Sequence, residues 1–257
     1  MFPDVSDSDE GIYVKVVGEI MPIKKKLEKQ LREILKAKTA INRGLRTGKI
    51  DSSRVIRASQ GHEAIFYKKN MKSTDSIGFL LLVDESGSMS INSRCKYARK
   101  ATILFSEILR SLKIRHMVVG FDTNGDTRLM IYRSFIDPLN KPNVAISEIN
   151  ARVDNRDGTA IRAVTEFLLR QRFSKKVLIV ISDGVPVATE YYPPDSVIDT
   201  AKAVKEAKRK GIRIIGISID PDADNYLHKI YPGRVVVSKL EELPKKLLRV
   251  VKREVVN

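Results

Sequence analysis

Three stretches of this chain are apolar along nearly their whole length: IGFLLLV at 77–83, VLIVI at 177–181 and IRIIGISI at 212–219. A strand with one wet face alternates apolar and polar residues, so a strand without that alternation needs cover on both faces. Between the runs lie segments with a helical period. Residues 94–112 place Tyr97, Ala101, Leu104, Phe105, Ile108 and Leu112 on one face. Residues 160–171 and 197–210 repeat the pattern, the latter stopped by Gly211. Shorter strands are expected at HMVVGF (116–121), RLMIYR (128–133) and, as an edge, VVV (235–237), with a closing helix over 240–251. Strands alternating with helices of this length predict an α/β fold of three layers, a mostly parallel sheet with helices on both faces.

The N-terminal third has a different character. Residues 1–20 read as an acidic tail with a possible short strand at IYVKVV (12–17). Residues 21–72 read as a basic extension, with fifteen Lys and Arg against four acids. Pro22 suits the first turn of a helix, and Ile23, Leu27, Leu31, Ile34 and Leu35 form its apolar stripe, ending before Gly44. The stretch 44–70 then reads as a turn and two short strands around Gln60-Gly61. A boundary near 72–75 leaves 73–257 to the α/β domain.

A net charge of +16 draws acidic partners, anionic lipid or nucleic acid. The basic face of 24–57 lacks interleaved aromatics and matches no nucleic-acid motif, which favours an acidic protein partner and leaves nucleic acid as the alternative. No apolar run reaches the ~18 residues of a membrane span, and no basic-then-apolar leader pattern opens the chain. Cys95 is the sole cysteine, so no intramolecular disulfide can form. Together these features lead to the expectation of a cytoplasmic protein.

In parallel α/β folds, ligands bind beyond the carboxyl ends of the strands, near the point where strand order reverses. The loop after the first apolar run reads Asp84-Glu85-Ser86-Gly87-Ser88. Alternate side chains of an extended segment point the same way, so Asp84, Ser86 and Ser88 can converge. Thr159 follows Gly158 at an expected helix start, and Asp183 follows the second apolar run. Hydroxyl and carboxylate oxygens without nitrogen or sulfur suit a hard cation: magnesium first, with manganese or calcium as alternatives.

The series of apolar strand, D-x-S-x-S, helix, G-T opening a second helix, and apolar strand ending in S-D-G resembles the metal-ion-dependent adhesion site of von Willebrand factor A (VWA) domains. The likeness covers roughly residues 75–250. It implies that Ser86, Ser88 and Thr159 contact the ion while Asp84 and Asp183 act mainly through water. One coordination position would then stay open for a partner's carboxylate. LRTGKIDSSRVIR (45–57), DNRDGTAIRAV (154–164) and ISDGVPV (181–187) further resemble the C-terminal region of the cobaltochelatase VWA subunit (CobT-like) and the nitric oxide reductase activation protein NorD. That resemblance implies a non-catalytic subunit working with a MoxR-type AAA+ ATPase, which remodels or metallates a client. Two departures stand out: position 159 is Thr where a larger residue can occur, and the long acidic region of those subunits is absent.

Other motifs carry less. Gly44-Leu-Arg-Thr-Gly48-Lys49 is one residue short of a phosphate loop. Asp122-x-Asn124-x-Asp126 and Asp220-x-Asp222-x-Asp224 lack the glycine and glutamate of calcium loops and read as turns. Asp84 lacks the second acid, two residues on, of an aspartyl phosphatase. His62, His116 and His228 have no metal-ligand spacing, and no nucleophile–base set emerges, so no catalysis by the chain alone is expected.

Overall fold

The computed structural model describes residues 6–37, 40–70, 77–218, 224–231 and 235–236, with isolated positions at 246, 249 and 253. The expected boundary near 72–75, most of the expected helix over 240–251 and the Asp220-x-Asp222 stretch lie outside the described residues.

The main sheet has six strands: β4 (Ile77–Asp84), β5 (Arg115–Asn124), β6 (Asp126–Arg133), β7 (Lys175–Ser182), β8 (Ile212–Ser218) and β9 (Val235–Val236). Their order is β6-β5-β4-β7-β8-β9. All neighbours are parallel except β5 and β6, which form a hairpin through Gly125, held at φ 69°. The Asp122-x-Asn124-x-Asp126 stretch, expected to be a turn, is the end of this hairpin: Asp122 and Asn124 lie in β5, Asp126 in β6, and Gly125 joins them.

The strands read as continuous runs because each face of the sheet has its own cover. Phe79, Leu81 and Val83 of β4 join one apolar core with α3 (Arg94–Ser111), while Leu80 and Leu82 join another with α4 (Asp157–Leu169) and α5 (Asp195–Arg209). A strand's side chains alternate between faces, so consecutive apolar residues feed both layers. In the first layer the rings of Phe79 and Phe105 meet edge to face at 5.9 Å. The second layer is completed by α6 (Asp224–Ile230), from whose end Leu227, Ile230 and Tyr231 pack into the core. The expected three-layer architecture is the observed one.

The N-terminal region departs from expectation. Residues 12–17 are not a strand, and Pro22 does not open a helix: α1 runs unbroken over Asp7–Ala37 with Pro22 inside it. Tyr13, Ile20 and Leu27, seven residues apart, are buried in the first core, with Val16, Val17 and Ile23 packed beside them. An interior proline costs a helix ~3 kcal/mol. Burying Ile20 and Leu27 against the body returns about 1.5–3 kcal/mol each and outweighs that cost. The β-branched run at 12–17 thus marks a packed helix face rather than a strand.

Beyond α1, β1 (Ala40–Leu45) and β2 (Lys49–Ile50) flank β3 (Phe66–Asn70) in a small antiparallel sheet of order β1-β3-β2. The two strands expected around Gln60-Gly61 are β2 and β3, paired antiparallel, but residues 52–58 of the connection between them form helical turns, including α2 (Val55–Ala58). Asp51 starts them by accepting the Ser53 amide at 3.2 Å.

Candidate metal centre

β4 ends at Asp84 and β7 at Ser182, and the two strands are neighbours with Val83 opposite Ile181. Because β5 lies on the other side of β4, this pair marks the switch point of the sheet. Asp84 is fully buried. Its Oδ1 accepts the Ser86 amide at 2.8 Å, and its Oδ2 accepts Ser182 Oγ at 2.9 Å and Asn155 Nδ2 at 3.1 Å. Ser86 Oγ and Ser88 Oγ lie 3.0 Å apart, brought together by the 3-10 turn that starts at Gly87 and not by the extended alternation expected.

Asp183 approaches from the neighbouring loop. Arg94, at the start of α3, donates to its Oδ2 at 3.2 Å, whereas its buried Oδ1 has no hydrogen-bond partner. Asn155 ties the loops together. Its Oδ1 accepts the Val187 amide at 2.8 Å, its own amide reaches Val187 O at 3.0 Å, and its Nδ2 also reaches Asp157 Oδ1 at 3.5 Å.

Thr159 is placed elsewhere. Its side chain is exposed and borders a groove between α4 and α5 with Arg162, Glu166, Glu206 and Lys210. Asp157, the first residue of α4, is buried instead and lies with Asp84 and Asp183. A helix turns ~100° per residue, so residues two apart point to nearly opposite sides, and with Asp157 directed inward Thr159 faces out. The sequence reading missed Asp157, Asn155, Ser182 and Arg94. The signal for the first two was the one used at Asp84: Asn155 and Asp157 alternate in the segment entering α4.

The electrostatics mark the pocket as short of positive charge. Burial, then the nearby Asp183 charge, pushes Asp84 up to about 7, against the hydrogen bonds from Ser86 and Ser182. Burial, then Asp84 and Asp183, raises Asp157 well above the carboxylate range. Tyr231 brings a buried hydroxyl, also without a hydrogen-bond partner, and the Asp157 and Asp84 charges add to burial in holding its proton on. A bare buried carboxylate oxygen among mutually repelling acids is costly unless a cation balances it, so the donor set fits a hard divalent ion. Among the described residues, no group of three or more His, Cys, Asp or Glu forms a ready-made metal cage.

Glu85, between Asp84 and Ser86, points into the core. Tyr132 donates to its Oε1 at 2.5 Å and Arg152 to its Oε2 at 2.7 Å. A Cβ on Gly120 would collide with it, so glycine makes room there. Burial pushes Glu85 up to about 7 despite those donors. With Gly87 N bonded to Val153 O at 2.5 Å, this anchors the D-x-S-x-S loop to the segment leading into α4. His116 is buried with Ser106 at 2.7 Å, His62 and His228 are exposed, and Cys95 is buried beside Ile149 O.

The von Willebrand factor type A domain family model matches residues 79–245. The chain belongs to this family. Among curated relatives, the uncharacterized protein YojO of Bacillus subtilis (strain 168) is 31% identical over 229 residues, covering 84% of this chain and 35% of that protein. Protein NorD of Stutzerimonas stutzeri is 31% identical over 129 residues, covering 49% of this chain and 21% of NorD. The chain thus spans about a third or less of the length of these curated relatives. Of solved structures, the pilus adhesin SpaC from Lactobacillus rhamnosus GG superposes with a TM-score of 0.57 at 16% identity, over 74% of this chain and 32% of SpaC. The conserved hypothetical protein BatB from Bacteroides thetaiotaomicron gives 0.54 at 16% identity, over 70% of this chain and 100% of BatB. At such identities the structural likeness speaks for the fold alone.

Proposed function

We propose that this VWA chain is a protein-binding adaptor that holds one magnesium ion beside Asp84, Ser86, Ser88 and Asp183 and uses it to grip an acidic group on a partner protein. The observation that carries this reading is the buried, partnerless Oδ1 of Asp183 next to the fully buried Asp84. When bound, the cation supplies positive charge that an external carboxylate can reach. The chain's own groups prepare the place: Asn155 and Ser182 orient Asp84, the paired Ser86 and Ser88 hydroxyls offer neutral oxygens, and Arg94 holds Asp183. Val153 and Val187, whose backbones bond to Gly87 and Asn155, are exposed and offer apolar surface beside the acidic contact.

The partner in this reading is a MoxR-type AAA+ ATPase or its client, in the cytoplasm, with the basic 21–72 extension as a second docking surface. Support comes from the segments at 45–57, 154–164 and 181–187 that resemble CobT-like subunits and NorD. No helix among the described residues is long and apolar enough to cross a membrane.

A pull-down from native lysate, with magnesium and again with EDTA, tests the proposal on the chain and on Asp84→Ala. An AAA+ ATPase or its client held in magnesium, lost in EDTA and lost with Asp84→Ala is the expected result. Unchanged partner binding by an Asp84→Ala protein that no longer binds the ion would end the metal-bridge reading. Nucleic acid held in both conditions and released by salt would favour the basic-surface alternative.

A further inference from the structure

We infer that Asp157, and not Thr159, is the contribution of α4 to the cation pocket, which makes this a three-carboxylate site that loads its ion before any partner arrives. The inference rests on the metal-binding reading above and goes beyond it.

Four observations converge. Asp157 opens α4 with its side chain buried, while Thr159 is exposed on the opposite side of the same turn. Asp157 lies close enough to Asp84 and Asp183 for their charges to act on it. Asn155 donates toward both Asp84 and Asp157, bringing the two acids to one amide. The partnerless oxygen of Asp183 and the partnerless hydroxyl of Tyr231 are buried polar atoms of the same neighbourhood. An acidic cluster alone would mean little, but a buried carboxylate oxygen left without a donor inside it indicates an absent positive group.

The charges suggest how such a site behaves. Three carboxylates carry three negative charges, Arg94 returns one, and a divalent ion returns two, so the filled pocket is neutral. A site with only Asp84 and Asp183, plus Arg94, would be left positive by the same ion and would depend on an external carboxylate for balance. Asp157 therefore shifts the work of holding the ion from the partner to the chain. Since the three acids do not form a direct cage, at least part of their hold on the ion passes through water, as magnesium's retained hydration allows.

The test is calorimetric titration of the isolated chain with magnesium alone, and again with manganese, alongside melting in EDTA and in magnesium. Wild type is expected to bind one ion without a partner. Asp157→Asn is expected to weaken binding by at least about ten-fold, and Thr159→Ala to leave it within about two-fold. Asp157→Asn should also melt at or above the wild-type temperature in EDTA, because it replaces a carboxyl whose ionisation burial and its acid neighbours oppose, yet lose the upward shift that magnesium gives wild type. A merely structural aspartate would instead lower the melting temperature in EDTA.

Asp84→Ala separates the two levels of failure. If Asp84→Ala loses the ion while Asp157→Asn keeps it, or if Thr159→Ala loses it, the three-carboxylate inference is overturned and the metal reading stands. If wild type binds no ion without a partner, the inference is overturned, and the metal reading is then decided by the pull-down in magnesium and in EDTA.

Discussion

Two buried carboxylates in this protein meet opposite fates. Glu107 sits in the seam between α1 and α3, where Tyr13 donates at 2.6 Å, Lys24 at 2.8 Å and Arg110 at 2.6 and 2.9 Å. Burial pushes it up, but the hydrogen bonds from Arg110, Lys24 and Tyr13 outweigh that and draw it down to about 2. Asp84 is as deeply buried and receives three hydrogen bonds from neutral donors, yet burial and then the nearby Asp183 charge push it up to about 7, with no cationic donor of its own to offset them. The first carboxylate is fully compensated and ties a helix to the body. The second meets no cationic partner of its own at a strand end, a cost that taking up a proton lowers and that the proposed metal ion would remove.

Breaking the compensated side should have the largest effect. Glu107→Ala leaves Lys24, Arg110 and the Tyr13 hydroxyl without their shared acceptor, and an expected loss of about 3 kcal/mol should appear in denaturant unfolding. A loss below about 1 kcal/mol would mean that α1 is held by apolar packing alone. On the other side the sign reverses. Asp84→Asn should stabilise the protein in EDTA by roughly 1–3 kcal/mol at pH 8 and remove the stabilisation by magnesium.

The pH dependence sharpens the contrast. The folded-state value of Asp84 is raised, so the folded protein binds the extra proton, and stability in EDTA declines as pH rises from about 4 to about 7. Glu107 behaves in the opposite sense: its folded value is depressed, so its stabilisation is present above about 4.5 and is lost as pH falls toward 2. Melting curves of wild type minus Asp84→Asn, taken in EDTA from pH 5 to 8, isolate the first effect from other groups. Added magnesium should abolish the difference in slope. A slope unchanged by the substitution would show that Asp84 is not strained by its surroundings.

The smallest expected effect is at the edge of the compensated network. Tyr13→Phe removes one of the donors to Glu107 while keeping the ring in the core, and should cost about 1 kcal/mol in the same unfolding assay.

What the sequence determined by itself is the layered body. Apolar runs at 77–83, 177–181 and 212–219 are too short for core helices and read as strands covered on both faces, and the helical stripes between them supply the cover. The loops at Asp84 and Asp183 were legible for the same reason, since polar residues just beyond buried strands fall at one end of a parallel sheet. Tertiary structure decided the rest. Whether 12–17 was strand or helix depended on the α3 surface that buries Tyr13 and Ile20, because β-branched residues suit either state once packed. Whether Thr159 or Asp157 faced the pocket depended on where α4 begins, because moving a helix start by one residue turns every later side chain by ~100°. Sequence order names the groups near a strand end, but only the packed backbone sets their direction, and direction decides which oxygens can meet an ion.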